Sequence, residues 1–166
     1  PQSGHTRFEA YGPSLAAATA LVGLSEIPDE VFKLKGEVDW SDSSLALKSV
    51  SASVGEMALE IDGVLGSFPH FEGSDLRIDA SGPDLAALSA FVRYELPSGP
   101  FKVAGHLAQS DSGINVDALR FAFADHRLWA SGTLGTTEKL ALTGLKVQLG
   151  GPDVSILGRL AGIELP

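Results

Sequence analysis

The stretch VFKLKGEVDW, residues 31–40, alternates apolar and charged side chains along almost its whole length. One side of this stretch carries Phe32, Leu34, Val38 and Trp40, whereas Lys33, Lys35, Glu37 and Asp39 lie on the other side. A period of two residues is typical of a β-strand with one apolar and one polar face. Residues 101–107 repeat the pattern, so the sequence predicts two strands of this kind.

The residues that follow each of these strands predict an antiparallel partner with a β-bulge. The turn sequences SDSS at 41–44 and SDSG at 110–113 are rich in residues that favour hairpin turns. In the next strand the apolar positions shift by one residue after Leu47, and again after Val116. An inserted residue would return the apolar set to its own face, which is what a bulge does.

Two further strands follow each predicted hairpin. Alternating apolar residues predict third strands at 59–65 and 128–134, and fourth strands at 71–80 and 140–149. Every strand therefore has one apolar and one polar face. Since a single sheet of such strands cannot leave its apolar side in water, the sheet is expected to close, to pair with another layer, or to curl around an occupied groove.

A Gly-Pro pair opens each of three predicted helices, at 15–22, 85–92 and 154–160. Proline suits the first helical position because the N–H that it lacks has no partner there. Asp84 and Asp153 follow in the first turn, where the helix dipole favours negative charge. Helices of two or three turns are marginal alone, so they are expected to pack on the sheet.

These elements recur with a period of about 70 residues. Gly12, Gly82 and Gly151 open the three helices and are 70 and 69 residues apart. Each full repeat is predicted to hold four antiparallel strands and one short helix. We interpret the chain as a single fragment of a larger protein, with a partial repeat at 1–11, repeats at 12–81 and 82–150, and the start of another at 151–166.

The composition narrows the classes of function. The 166 residues include 12 Lys and Arg against 21 Asp and Glu, a formal charge of -9. This charge argues against nucleic acid as a partner and against a surface that clings to anionic lipid headgroups. The absence of cysteine excludes disulfides, a thiol nucleophile and thiolate metal sites. No apolar run is long enough to span a membrane as a helix.

The polar residues form no convincing catalytic or metal-binding pattern. His5, His70, His106 and His126 have no counterpart one period away and lack the spacing of metal ligands. Asp125 and His126 are neighbours in a strand and would point to opposite faces, and the chain has no G-x-S-x-G motif. We therefore predict no catalytic residue, no metal site and no cofactor.

Two tryptophans and four glycines have more than one interpretation. Core packing is favoured for Trp40 and Trp129, with lipid contact as the alternative. Four glycines fall on the apolar face, where they either relieve the curl of the sheet or make room for a helix or an acyl chain, and we favour the first: Gly36, Gly63, Gly105 and Gly132.

Residues 82–135, GPDLAALSAFVRYELPSGPFKVAGHLAQSDSGINVDALRFAFADHRLWASGTLG, resemble the AsmA-like repeat of bacterial envelope proteins, the family that includes TamB. The matching features are the Gly-Pro helix start, the Leu-Pro pair before GPF, the strand with Phe101 and Gly105, and the strand end SGTL. The first repeat is a looser copy that keeps Ile27-Pro28 and FKLKG.

The resemblance implies a mainly β fold with short helices, in which a repetitive antiparallel sheet curls into a U-shaped groove. It also implies a parent protein anchored in the inner membrane of a Gram-negative envelope, extending through the periplasm and conducting phospholipid towards the outer membrane. The expected partners are phospholipid acyl chains, further repeats of the same chain, and membrane or outer-membrane proteins. The groove is expected to be lined by Phe32, Leu34, Val38, Trp40, Leu59, Ile61, Leu76, Ile78, Phe101, Val103, Leu107, Val116, Phe121, Phe123, Leu128, Leu134, Leu142 and Val147.

A second hypothesis stays open at this point. The chain could instead be a structural or assembly module for outer-membrane proteins, in which a sheet edge adds a strand from a partner. Bound phospholipid in an uncollapsed groove would favour the first hypothesis, and a dry, closed core without ligand would favour the second.

Overall fold

A computed structural model describes residues 3–20, 29–41, 44–66, 72–89, 95–110, 113–134 and 144–153. Two short helices lie in these ranges, the α-helix α1 (Leu15–Ala20) and a 3-10 helix at Leu85–Leu88. The strands are β1 (Gly4–Gly12), β2 (Phe32–Trp40), β3 (Leu45–Val54), β4 (Met57–Leu65), β5 (Asp75–Gly82), β6 (Phe101–Ser110), β7 (Gly113–Phe123), β8 (His126–Leu134) and β9 (Lys146–Gly150).

The nine strands form one antiparallel sheet whose order follows the chain from β1 to β9. Short connections join β2 to β3, β3 to β4, β6 to β7 and β7 to β8, since consecutive antiparallel strands need only a tight turn between them. At the β2–β3 connection, for example, the Ser41 N–H donates to the Ser44 carbonyl at 2.9 Å. The sheet is not closed, and β1 and β9 are its two edges within the described residues. The predicted mainly β, antiparallel architecture is confirmed.

Both predicted bulges are present. The pairing of β3 with β4 shifts between Leu47 and Val50, and the pairing of β7 with β8 shifts between Val116 and Leu119. Within each bulge one residue takes a left-handed conformation, which is uncommon for a residue with a Cβ atom. That residue is Ser49 in β3 and Ala118 in β7, each with φ of +50°.

Both described helices begin two residues after the proline that is predicted to occupy the first helical position. Asp84 is the N-cap of the 3-10 helix, and its carboxylate accepts the Ala86 N–H at 3.1 Å. Likewise the Ser14 hydroxyl oxygen accepts the Ala17 N–H at 3.0 Å at the start of α1. Placing proline at the first helical position is therefore wrong, because a side-chain oxygen after the proline satisfies the free N–H groups and fixes the start.

The 3-10 helix packs against one end of the apolar sheet face, as predicted for the helix at this position. Leu85 from the helix meets Phe101 and Phe123 from β6 and β7, and all three are buried. Partly buried residues complete the cluster: Ala80, Leu88, Leu96 and Phe121. The helix thus covers only the end of the face nearest to it.

Some predicted segments are shorter or lie outside the described residues. The predicted fourth strands are observed as β5 and β9, which begin at Asp75 and Lys146. The predicted strand residues 71 and 140–143 are outside the described ranges. So are helix residues 21–22, 90–92 and 154–160.

Candidate functional site

The register of the sheet brings apolar residues from every strand onto one face. Residues that pair directly across antiparallel strands share a face. One row crosses all nine strands without a polar side chain: Ala10, Leu34, Ala52, Leu59, Ala80, Val103, Phe121, Leu128 and Leu149. We call the face that contains this row the apolar face.

The same register places the predicted lining residues on the apolar face, apart from Leu142. Trp40 lies opposite Gly4 and Leu45, and Val147 lies opposite Ala130 at the other end of the sheet. The backbone of Leu134 lies opposite Ile114. Leu142 is outside the described residues. The alternation in the sequence therefore identified one continuous surface.

Most of the apolar face is only partly covered. Among the predicted lining residues whose side chains are described, Phe101, Val116 and Phe123 are buried and the others retain access to solvent. Trp40 and Val147 are 42% and 46% exposed, so the edges of the face are the most open. A second sheet layer would have buried these side chains, and the described strands all belong to one sheet.

The four glycines of the apolar face accommodate neighbouring strands. A Cβ atom at Gly63 would overlap the carbonyl oxygen of Asp75, and one at Gly132 would overlap that of Gly144. At Gly36, a Cβ would lie 2.8 Å from a methyl group of Val50, which directly follows the bulge in β3. These contacts favour the interpretation that the glycines allow the sheet to bend, because the space is taken by protein atoms.

The opposite face is polar and carries exposed ion pairs, as expected for a solvated strand surface. Arg7 Nε donates to Glu37 at 2.7 Å, and Lys48 pairs with Asp39. Hydrogen bonds from Lys48 and then from His5 lower the pKa of Asp39 below its ordinary value. Pairs this exposed contribute little to stability and do not indicate a site.

The histidines are dispersed, and each described one has its own environment. His126 is buried on the apolar face, and its Nε2 accepts the Asp153 N–H at 3.3 Å. His106 Nε2 lies 2.6 Å from an Asp75 carboxylate oxygen on the polar face. His70 is outside the described residues. Within the described ranges no group of three His, Asp or Glu residues could hold a metal ion.

The core packing predicted for the two tryptophans is wrong. Trp40 lies on the apolar face but is 42% exposed at its edge. Trp129 is 41% exposed and lies on the polar face, opposite Arg120 on β7 and Gln148 on β9. The sequence could have predicted that Trp129 lies on the polar face, since Leu128 and Ala130, the residues on either side of it, belong to the apolar alternation.

Two hollows lie on the polar face beside the bulges, and sequence reasoning did not identify them. One, of about 510 Å³, is lined by charged residues of β1, β2 and β3, including Arg7, Glu37 and Lys48. The other, of about 420 Å³, lies beside Trp129. Their lining depends on which side chains the bulges bring together across three strands, and the sequence pattern does not encode this.

Comparisons with known proteins identify no relative. The chain matches no protein-family model, and neither curated proteins nor solved structures give a match. None of the helices in the described part of the chain is long and apolar enough to cross a membrane.

Proposed function

We propose that the chain is a hydrophobic-groove module that holds or conducts phospholipid. The observation that carries this proposal is the row of apolar residues that crosses all nine strands and continues on both sides without a covering layer among the described residues. Contiguous exposed apolar surface of this kind marks a binding surface for an apolar partner. An acyl chain of 16 carbons would gain up to about 12 kcal/mol on transfer from water to an apolar groove that encloses it.

The local geometry supports a curled sheet, which would turn the apolar face into a groove. Bulges and glycines without room for a side chain are the two devices that bend β-sheets. The bulges at Leu47/Val50 and Val116/Leu119, and the glycines Gly63 and Gly132, recur with the spacing of the proposed repeat. A bend applied at the same place in each repeat accumulates in one direction, so the finer architecture that we propose is a U-shaped groove built of 69-residue repeats.

The cellular setting of the proposal rests on the resemblance to AsmA-like repeats. Further repeats of the parent chain would continue the sheet from its open edges, and the groove would extend through the periplasm between the inner and outer membranes. A face lined by aliphatic and aromatic side chains holds acyl chains without fixing them at one position, which suits passage as well as storage.

Paired photocrosslinking probes on adjacent residues test the proposal. Benzoylphenylalanine at Ile78 faces the apolar side of β5, whereas the same probe at Arg77 faces the polar side. Leu59 and Glu60 on β4 form a second matched pair. After incubation with phosphatidylethanolamine vesicles and irradiation, mass spectrometry should find lipid adducts at Ile78 and Leu59 and few at their neighbours. Equal yields on the two faces, or no adducts at all, would refute lipid binding by the apolar face.

A second candidate is a structural module for the assembly of outer-membrane proteins. The observation that favours it is the open sheet, in which β1 and β9 each pair on one side only within the described residues. An unpaired strand edge can accept a strand from a partner. Probes on β1 that crosslink to a protein, together with an apolar face that yields no lipid adducts, would favour this function over the first.

A further inference from the structure

A cluster of cations surrounds the exposed tryptophan of the polar face. Arg120 and Gln148 lie directly opposite Trp129 on the two neighbouring strands. Arg127 is two residues before Trp129 on β8, and Lys146 is two residues before Gln148 on β9, so both point to the same face. We call these five residues the Trp129 patch. All five side chains are exposed.

The bulge in β7 gives the Trp129 patch its shape. Ala118, in its left-handed conformation, and Ser131 complete the lining of a hollow of about 420 Å³ beside the indole. On the other side of Trp129 lies Gly150, where a Cβ would make only ordinary contact with the indole, at 3.9 Å from Cζ3. The indole therefore presents an apolar platform next to a polar hollow.

The cations of the Trp129 patch are exposed to solvent. Arg120, Arg127 and Lys146 form no ion pair with any carboxylate of the described residues. None of the described residues that line the hollow is acidic. Several cations elsewhere on the polar face are paired, as Arg7 is with Glu37, whereas Lys35 and Arg77 also form no ion pair among the described residues. In a chain with a formal charge of -9, three cations around one exposed tryptophan are a local concentration of positive charge.

The corresponding positions on β3, β4 and β5 are mostly neutral or acidic, and Arg77 alone keeps the positive charge of its counterpart, Lys146. The row that corresponds to Arg120, Trp129 and Gln148 is formed by Ser51, Glu60 and Asp79. The pair that corresponds to Ser131 and Lys146 is Asp62 and Arg77. The cationic and aromatic character of the patch is thus a property of the residues on β7, β8 and β9 and does not follow from the sheet geometry.

We propose that the Trp129 patch binds a small ligand in which a phosphate is attached to a ring, such as a sugar phosphate or a nucleotide. Arg120 and Lys146 supply donors suited to phosphate oxygens, and arginine can do so with two N–H groups at once. The exposed indole offers a flat face on which a ring stacks. Ser131 and Gln148 can hydrogen-bond to hydroxyl or base groups on the ring.

The charge around the Trp129 patch favours a single small molecule over a membrane surface. A bilayer of anionic lipid would lie against the whole polar face, where acidic residues such as Glu60, Asp62 and Asp79 would repel it. A ligand the size of the hollow contacts the cations and leaves those carboxylates in water.

Titration followed by heteronuclear NMR tests the proposal, because the chain has two tryptophans on opposite faces. Glucose 6-phosphate and adenosine monophosphate are the phosphorylated probes, with glucose, adenosine and inorganic phosphate as their parts. At least one phosphorylated probe should shift the indole N–H signal of Trp129, bind more tightly than either of its parts, and leave the Trp40 signal in place. The probe that binds identifies the ring as a sugar or a base.

Substitutions assign the binding to the Trp129 patch. Arg120→Ala and Lys146→Ala should each weaken binding about tenfold, the effect of losing one hydrogen bond to a charged group. Arg77→Ala is the matched control, since Arg77 occupies the same position on β5, and it should leave affinity unchanged. An unshifted Trp40 signal shows that each variant is folded.

Three outcomes would overturn the proposal. The first is that neither phosphorylated probe shifts Trp129. The second is that Arg77→Ala weakens binding as much as Lys146→Ala does. The third is that Trp129 responds to phosphatidylglycerol vesicles and to no soluble probe, which would identify a membrane contact. Each result is independent of the crosslinking experiment on the apolar face, because the two sites lie on opposite sides of the sheet.

Discussion

Replacing Gly63 with alanine is expected to destabilise the sheet where β4 meets β5. Gly63 has φ of +133°, and a Cβ built there would overlap the carbonyl oxygen of Asp75. The overlapping atom belongs to the backbone, so no rotation of a side chain can relieve the clash. The two strands must instead separate near the pair formed by Gly63 and Leu76.

The expected loss has two parts. A positive φ costs a residue with a Cβ about 1–2 kcal/mol. Separation of the strands weakens one or two ladder hydrogen bonds, at about 0.5–1.5 kcal/mol each. The total of about 3 kcal/mol is a large share of the 5–15 kcal/mol by which folded proteins are typically stable. In a chain of this size it should lower the midpoint of thermal unfolding by about 6–12 °C.

Gly73→Ala is the matched control for the Gly63 substitution. Gly73 also has a positive φ, of +78°, but a Cβ built there would meet nothing within 4 Å. The control should lose only the conformational part, about 1–2 kcal/mol. Thermal unfolding followed by circular dichroism measures both losses, and hydrogen exchange should speed up in β4 and β5 for Gly63→Ala alone. If the two variants lost the same free energy of unfolding, the close approach of β4 and β5 would not be the reason that glycine is needed at position 63.

Three further predictions concern single residues. Ala118→Gly should raise the free energy of unfolding in urea by about 0.5–1 kcal/mol, because it removes the strain of a left-handed alanine. Asp84 accepts backbone N–H groups, that of Gly99 foremost, and these bonds lower its pKa from the ordinary 3.8. The Asp84 carboxylate therefore contributes to stability above pH 3.8, and this contribution is lost as the pH falls through the lower pKa of the folded state. Asp84→Asn should make the free energy of unfolding in urea depend less on pH below about pH 4. Phe101→Ala should cost about 3–5 kcal/mol because Phe101 is buried in the cluster under the 3-10 helix, whereas Tyr11→Ala, at a site 76% exposed, should change stability by less than about 0.5 kcal/mol in the same measurement.

The sheet and its bulges could be predicted because one face of every strand is apolar. Alternation in residues 32–40 shows both the strand and the side of it that avoids water. A shift in that alternation, as after Leu47, has few explanations other than an inserted residue. The pairing confirms the shift at this place and at Val116.

Features that depend on contacts between distant residues could not be predicted in the same way. Asp84 was recognised as an acidic residue at a helix start, but its position as the cap is held by a 3.0 Å bond from the Gly99 N–H, 15 residues away. The need for glycine at position 63 arises from the carbonyl of Asp75 on the next strand. Neither partner is identified by the local pattern around the residue.

The candidate sites differ in how much the sequence shows of them. The apolar face follows from periodicity alone, and its predicted residues lie together in the sheet wherever they are described. The Trp129 patch does not, because it combines an out-of-phase tryptophan with cations from β7 and β9 that are adjacent only once the register is known. Periodicity could still have placed Trp129 on the polar side, since Leu128 and Ala130 carry the apolar phase.

The dimensions of the apolar face agree with an acyl chain lying along the strands. Thr6 on β1 interrupts the apolar face, and the other polar residues of the described strands on this face lie near strand ends, with Gln109 at one end of β6 and His126 opposite Phe123 at the other end. Between them the apolar part of β6 runs from Phe101 to Leu107, a length of about 20 Å. One leaflet of a bilayer has a hydrocarbon depth of about 15 Å, so a chain laid along this strip would remain in apolar contact while its headgroup reached water at the rim. An acyl chain that moved from one strand to the next, about 4.8 Å away, would replace its apolar contacts with similar ones. The barrier to this movement would therefore be small compared with the free energy of transferring the acyl chain from water to the face.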